Sequence, residues 1–351
     1  RDEGAAPLGP GGDGMRRQGT ARFVAVVALA GVALLGCKRG DGDVQGPLRL
    51  GFFPNVTHAQ ALVGNEERAF QGALGKPLKT MQFNAGPAAM EALLAGAVDV
   101  AYVGAGPAIT AYVRSGGEIR VIAGAASGGS VLVARTATKP ADLDGKLVAV
   151  PQIGNTQDIA LRRWLREQGL KPTSLGGTVQ VLPQPNPEIM QLFRRGDIEA
   201  AWVPEPWASR LILEAGGHVL VDERDLWPNG RFPTTVLIAT RKALEHRRED
   251  VKAIVRAHVE LTRRAQADPE GFAARTNTAF KNLTTKSISG PVLKQSFSRL
   301  ELTTDPMREQ LVEVAAHSKL IGYIPNADLT GMVDDSLLRE LEQEGVGGAG
   351  K

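Results

Sequence analysis

Cysteine is nearly absent: the 351 residues hold one, Cys37. A lone cysteine excludes an intrachain disulfide and leaves the folded body without a thiol for a metal. The five histidines (58, 218, 246, 258 and 317) are scattered with no close pair, so no metal site is expected. Charge of one sign is lacking too. Lys and Arg number 41 against 38 Asp and Glu, a net of +3, with no basic block or basic-aromatic patch. Nucleic acid is therefore not an expected partner. The chain has no Gly-x-x-x-x-Gly-Lys-Ser/Thr phosphate loop and no Gly-x-Ser-x-Gly nucleophile elbow. The apolar run from Phe23 to Gly36 is too short and too rich in Ala and Gly for a membrane span.

That run has another use. Preceded by Met15-Arg16-Arg17, it has the basic start and short apolar stretch of a secretory signal. It ends in Leu34-Leu35-Gly36-Cys37, which resembles a lipobox, although Leu35 is a less usual residue at its position. On this reading residues 1–36 are an upstream segment plus a lipoprotein signal peptide, and Cys37 is the lipidation site. Residues 37–47 are then a polar, Gly-rich tether. Residues 1–14, ahead of Met15, look like upstream translation or a misassigned start.

With 43% hydrophobic residues, the remainder has ample core for one or two domains. From Leu48 onward short apolar runs alternate with helical stretches, the signature of an α/β protein. Strands are expected at Leu48 to Phe53, Lys79 to Phe83, Val98 to Val103, Ile119 to Ala123 and Ser130 to Ala134. The second half repeats the plan with an offset of 100. Asn155 falls on Asn55, Pro187 on Pro87, Met190 on Met90 and Gly196 on Gly96. Val98 to Val103 aligns with Ile198 to Val203 without a gap. The identities are too few for a sequence repeat, but the matched order of elements predicts two lobes of similar build. Residues 135–145 read as a linker, and Thr234 to Thr240 as a later strand. From Arg241 to about Glu344 the pattern is almost wholly helical and is expected to pack back on the first lobe. Lobe 1 is thus expected over 48–136 plus 236–345 and lobe 2 over 137–235, with two hinge crossovers and a cleft at the carboxyl ends of the strands.

This layout resembles the type 2 periplasmic binding protein fold, and more narrowly the substrate-binding proteins of ABC importers for aliphatic sulfonates, taurine and nitrate. The residues that carry the resemblance are Leu48 to Pro54, Met90 to Gly106, Gly154-Asn155-Thr156, and Asp197 to Trp207. The resemblance implies an exported, non-enzymatic receptor, held to the membrane through a lipid on Cys37. It implies an ABC permease as partner, a small anion as ligand, a monomer, and no cofactor. The membrane face is the periplasm or the cell exterior.

The stretch Val148 to Asp158 is the core of the site reading. It reads as a buried strand, a Gly turn, and a helix start capped by Asn155 or Thr156. A helix start offers unpaired N–H groups to an anion. Asn155, Thr156 and Gln157 are candidate contacts, and the alternative is an ordinary capped helix. Gly104 and Gly106 form the first-lobe counterpart, either for close backbone approach or for helix packing. Ser127 and Ser130 either donate to the ligand or belong to an ordinary loop. Asn55 and His58 follow the first strand, and an imidazole there can hydrogen-bond an oxyanion. Glu205 takes a ligand ammonium, pairs with a basic residue across the cleft, or serves as a turn residue. Trp207 offers apolar surface, and Thr235 lies at the return crossover. The alternative ligands are nitrate, bicarbonate and a thiamine-precursor pyrimidine. One related group makes such a pyrimidine enzymatically, but its cysteine-rich motif is missing here.

Overall fold

The computed structural model describes residues 46–346, all within one compact unit. The signal segment, Cys37 and most of the tether lie outside the described residues. Among the described residues no helix is long and apolar enough to cross a membrane.

Strand β1 (Leu48–Phe52) pairs in parallel with β2 (Leu78–Gln82) and β3 (Val100–Val103). Helices α1 (Ala59–Glu66) and α2 (Ala69–Leu74) join the first two strands, α3 (Gly86–Leu94) joins the next pair, and α4 (Ala105–Arg114) follows β3. Strand β3 is buried along its whole length. Such a run is apolar throughout because helices cover both faces of a parallel sheet. Strand β4 (Ile119–Gly128) and then β5 (Ser130–Ala134) come next.

The second lobe repeats the plan. Strand β6 (Leu147–Val150) has parallel neighbours β7 (Gln180–Pro183) and β8 (Ala200–Pro204). Helices α5 (Thr156–Glu167), α6 (Asn186–Arg195) and α7 (Trp207–Ala215) follow these strands in turn, and β9 (His218–Asp222) closes the lobe. Corresponding strands pair in both sheets, with a register that differs by two residues: Leu50 pairs with Val100 in one sheet, and Val148 with Ala200 in the other.

The crossovers differ from the expected boundaries. Strand β5, expected in lobe 1, pairs only with β8 and β9 and so belongs to the second sheet, whose order is β7-β6-β8-β5-β9. The chain has therefore crossed by Ser130, not at 137. Gly128 and Gly129 make this possible, with φ of +76° and +74°, a region costly for any residue with a Cβ. A Cβ on Gly128 would also lie 2.4 Å from the Arg299 carbonyl oxygen. The linker-like 135–145 stays inside lobe 2, where the Thr136 and Ala137 N–H groups both donate to the Glu199 carboxylate at 2.7 Å. The return is also earlier than 236. Strand β10 (Pro233–Thr240) already pairs with β4 at Pro233, and it inserts antiparallel between β3 and β4. Each sheet thus places one strand from the far side of a crossover beside its parallel triplet.

The C-terminal part is helical, as expected: α8 (Arg241–His246), α9 (Arg248–Ala267), α10 (Pro269–Thr284), α11 (Gly290–Ser298), the short edge strand β11 (Leu300–Leu302), α12 (Arg308–Leu320) and α13 (Ser336–Gln343). Val251, Ile254, Phe272 and Leu337 share a buried cluster with Leu48, Leu50 and Tyr102. Leu311 and Val314 of α12 join Val103, Ala108 and Ile109 on the other face. These helices cover lobe 1, but α11 also packs against α7 of lobe 2.

At the return crossover a carboxyl is fully buried. The Trp202 indole N–H donates to Glu223 Oε2 at 2.9 Å and to Ser130 Oγ at 3.0 Å. Burial raises the Glu223 pKa from 4.5 to about 7, the ionised form having lost its hydration. The native state therefore holds this proton more tightly than the unfolded chain does. The resulting stability is present below pH 4.5 and is lost as pH rises through 7, by about 3 kcal/mol in all. Glu223→Gln keeps the hydrogen bond and removes the titration. Urea unfolding of the variant should weaken less between pH 5 and pH 8 than that of the wild type; parallel profiles would show that Glu223 does not titrate in this range.

Candidate functional site

A small cavity of about 30 Å³ lies where the carboxyl ends of the two parallel triplets face each other. Every connection out of those strands leads into a helix, so helix starts surround it. Gly86 opens α3 and Gly104 caps α4 on the first lobe; Asn155 caps α5 and Asn186 opens α6 on the second. Each helix start carries about half a positive elementary charge and N–H groups without intrahelical partners. The correspondence between lobes is close: Pro87 and Pro187 both stand at the second helical position, where their missing N–H costs no helix bond.

Helix α5 shows how the sequence builds such a start. Gly154 turns the chain with φ +80°, and Asn155 Oδ1 then accepts the Asp158 N–H at 2.8 Å. Asn155 Nδ2 donates to Gln157 Oε1 at 3.1 Å. Both ends of the Asn155 amide are thus used within its own helix start, so its role is that of a cap lining the cavity. Thr156 is different. Its Oγ1 is buried and has no hydrogen-bond partner among the described residues, and the same holds for Thr235 Oγ1 and Asn186 Oδ1. All three residues line the cavity. Buried polar atoms without protein partners are costly, and three of them around one small space suit it to a polar ligand.

No Lys, Arg, Asp or Glu lines this cavity. His58 does, but burial lowers its pKa from 6.5 to about 3, so it is neutral. The Phe53 N–H points at His58 Nδ1, at 3.4 Å. That nitrogen is therefore the acceptor, and the ring proton sits on Nε2. The site is a cage of neutral donors and helix dipoles.

Seven of the twelve expected contacts line the cavity: Asn55, His58, Gly104, Asn155, Thr156, Gln157 and Thr235. Five stand behind it. A Cβ on Gly106 would lie 2.5 Å from Ile159 Cδ1, and one on Gly104 would lie 2.3 Å from Thr156 Oγ1. The starts of α4 and α5 therefore meet across the lobes only because these positions lack side chains, and the arrangement is closed. Ser127 Oγ accepts the Phe232 N–H, and Ser130 Oγ accepts from Trp202. The Trp207 indole donates to Asn55 Oδ1 at 3.1 Å, from one lobe to the other. Glu205 faces away from the cavity. It accepts from Arg299 at 2.9 Å, from the Ser296 hydroxyl at 3.0 Å, and from both the backbone and hydroxyl of Ser209. Of the three expectations for Glu205, two are observed: it pairs with a basic residue on the other lobe and sits in the turn between β8 and α7.

Asn186, Thr57, Asn84 and Pro204 were missed and also line the cavity. For Asn186 a signal existed: it occupies the place of Gly86 at the offset of 100, immediately before a matched proline.

The model of the NMT1-like family matches residues 42–279. The taurine-binding periplasmic protein of Escherichia coli K12 is 29% identical over 277 residues, covering 76% of this chain and 84% of that protein. Among solved structures, the alkanesulfonate-binding protein SsuA from Xanthomonas axonopodis pv. citri, bound to MOPS, superposes with a TM-score of 0.68. It is 19% identical and covers 82% of this chain and 98% of that one. The periplasmic nitrate-binding protein NrtA from Synechocystis PCC 6803 gives a TM-score of 0.72 at 15% identity, over 85% and 88% of the two chains. At these identities the structures establish the fold, which is that of the periplasmic binding proteins.

A hydroxyl without a partner contributes nothing to the fold that a methyl of equal shape would not. Thr156→Val and Thr235→Val should leave the ligand-free protein at least as stable as the wild type, or up to about 1 kcal/mol more stable, in urea unfolding. A loss of that size would show instead that the hydroxyls hold the structure.

Proposed function

The chain belongs to the NMT1-like family, and from that premise we propose that it is the extracytoplasmic solute-binding component of an ABC importer. It captures a small oxyanion, such as an aliphatic sulfonate or taurine, by closing two lobes on it, and passes it to a permease. It catalyses no reaction. The lipid anchor on Cys37 belongs to this proposal and rests on the sequence alone.

The observation that carries the reading is the cavity itself. Helix starts from both lobes converge on it, and it is lined by no charged side chain and by two hydroxyls, of Thr156 and Thr235, that lack partners and can donate. Dipoles of this kind stabilise an anion and repel a cation. They hold it with donors that come from both lobes, so binding favours the closed state. The family resemblance supports the transport role, and the taurine-binding relative supports the ligand class. The cavity's small size, about 30 Å³, favours nitrate or bicarbonate as the second reading.

The absence of a lining carboxylate has a consequence within the ligand class. The ammonium of taurine gains no ionic partner here, so ethanesulfonate should bind at least as tightly as taurine. A thermal-shift panel of ethanesulfonate, taurine, nitrate, bicarbonate and a pyrimidine tests this, because a ligand that binds only the folded state raises the melting temperature. A shift confined to the pyrimidine, or none at all, would overturn the oxyanion reading.

Gly104→Ala tests closure with the same probe. The added methyl meets Thr156 only when the lobes are shut. Overpacking costs about 1–3 kcal/mol, so calorimetric affinity for ethanesulfonate should fall about 5- to 150-fold. The ligand-free melting temperature should hardly change. Unaltered affinity would mean that the bound state is not this closed arrangement.

A further inference from the structure

Away from the cavity, the lobes meet again at the residue that completes the α5 start. Asp158 is fully buried, and its carboxylate has three donors. Oδ2 accepts the Gly154 N–H at 2.8 Å, and Oδ1 accepts Arg162 Nε at 2.7 Å. Both donors belong to lobe 2. The third, the Tyr323 hydroxyl, reaches Oδ2 from lobe 1. Tyr323 follows α12 and is fastened to lobe 1 at both ends of its backbone. Its carbonyl accepts Arg114 Nη2 at 2.9 Å, its N–H donates to the Ser318 carbonyl at 2.8 Å, and the neighbouring Ile324 lies in the lobe 1 core. The Arg162 guanidinium lies over its ring, 5.6 Å from the centroid. Burial and the adjacent carboxylate hold the phenol protonated, so it remains a donor.

We propose that Tyr323 is a closure latch, which holds lobe 1 to the Asp158–Arg162 pair of lobe 2 and raises ligand affinity without touching the ligand. Opening the cleft pulls the hydroxyl away from the Asp158 carboxylate, which keeps only its two lobe 2 donors. A hydrogen bond to a charged group is among the stronger ones, so its loss disfavours the open state. The position matters for a second reason. Asp158 sits three residues into the helix whose start faces the anion, and its negative charge opposes that anion. Arg162 and Tyr323 together offset it, and Tyr323 does so only when the lobes are shut. The latch and the ligand thus favour the same state, which makes their effects cooperative.

The inference rests on the solute-binding reading for its effect on affinity, but not for its effect on lobe geometry. The test uses the full chain with Cys37→Ser and spin labels at Leu94→Cys and Leu175→Cys, one exposed position on each lobe. Tyr323→Phe should move the ligand-free distance distribution towards the open state. With ethanesulfonate as probe it should raise Kd about tenfold, chiefly through faster dissociation. Tyr112→Phe is the control, since the Tyr112 hydroxyl bonds to the Thr330 carbonyl within lobe 1; it should change neither. An unchanged distribution in Tyr323→Phe, or an equal shift in the control, overturns the latch. Failure of ethanesulfonate to bind the wild type counts against the sulfonate reading, and the ligand-free distributions still decide the latch.

Discussion

A helix that begins at the carboxyl end of a parallel strand points its unpaired N–H groups beyond the sheet. This chain does so on both lobes and turns the starts towards one another. The first turns of α3, α4, α5 and α6 then share one small space. Their dipoles provide a positive field without any cation. That field depends on backbone direction alone, so the parallel order of β1 to β3 and of β6 to β8 is what the site rests on.

A neutral cage has an energetic signature. A lysine or arginine in the cleft would be repelled by the helix starts and would have to shed bound water on taking up a ligand. Here the cost is carried instead by Thr156, Thr235 and Asn186, which keep polar atoms buried without protein partners. His58 fits the same scheme: buried and uncharged, it offers its Nε2 proton as a donor but no charge. A site of this kind discriminates by the shape and the hydrogen-bond pattern of its ligand as much as by charge.

The contacts between lobes form a ring around that cage. The Trp207–Asn55 hydrogen bond lies next to it. The Glu205–Arg299 pair closes one side through α7 and α11, and Asp158–Tyr323 closes another through α5 and the segment after α12. Two of the lobe 1 partners, Arg299 and Tyr323, come from the C-terminal third. That part covers the lobe 1 core and also supplies the residues that reach across.

Much of this was legible in the residues. The alternation of apolar runs and helices, the offset of 100, and the capped start at Gly154-Asn155-Thr156 all depend on local pattern. Local pattern acts through spacing along the chain, so two like lobes and their facing helix starts could be read from it. Strand membership could not. Ser130 to Ala134 is an apolar run that suits either sheet, and only pairing with β8 and β9 assigns it to the second. Nor could the sequence separate the cavity from the layer behind it. Glu205 and Trp207 lie close in sequence to the lining Pro204, yet Glu205 turns to Arg299 and Trp207 to the Asn55 side chain, while Ser127 and Ser130 bond to Phe232 and Trp202. The sequence alone determined which backbone groups would be left unpaired. Tertiary structure decided which side chains face them, because a side chain's direction is set by neighbours as far as 218 residues away in the chain.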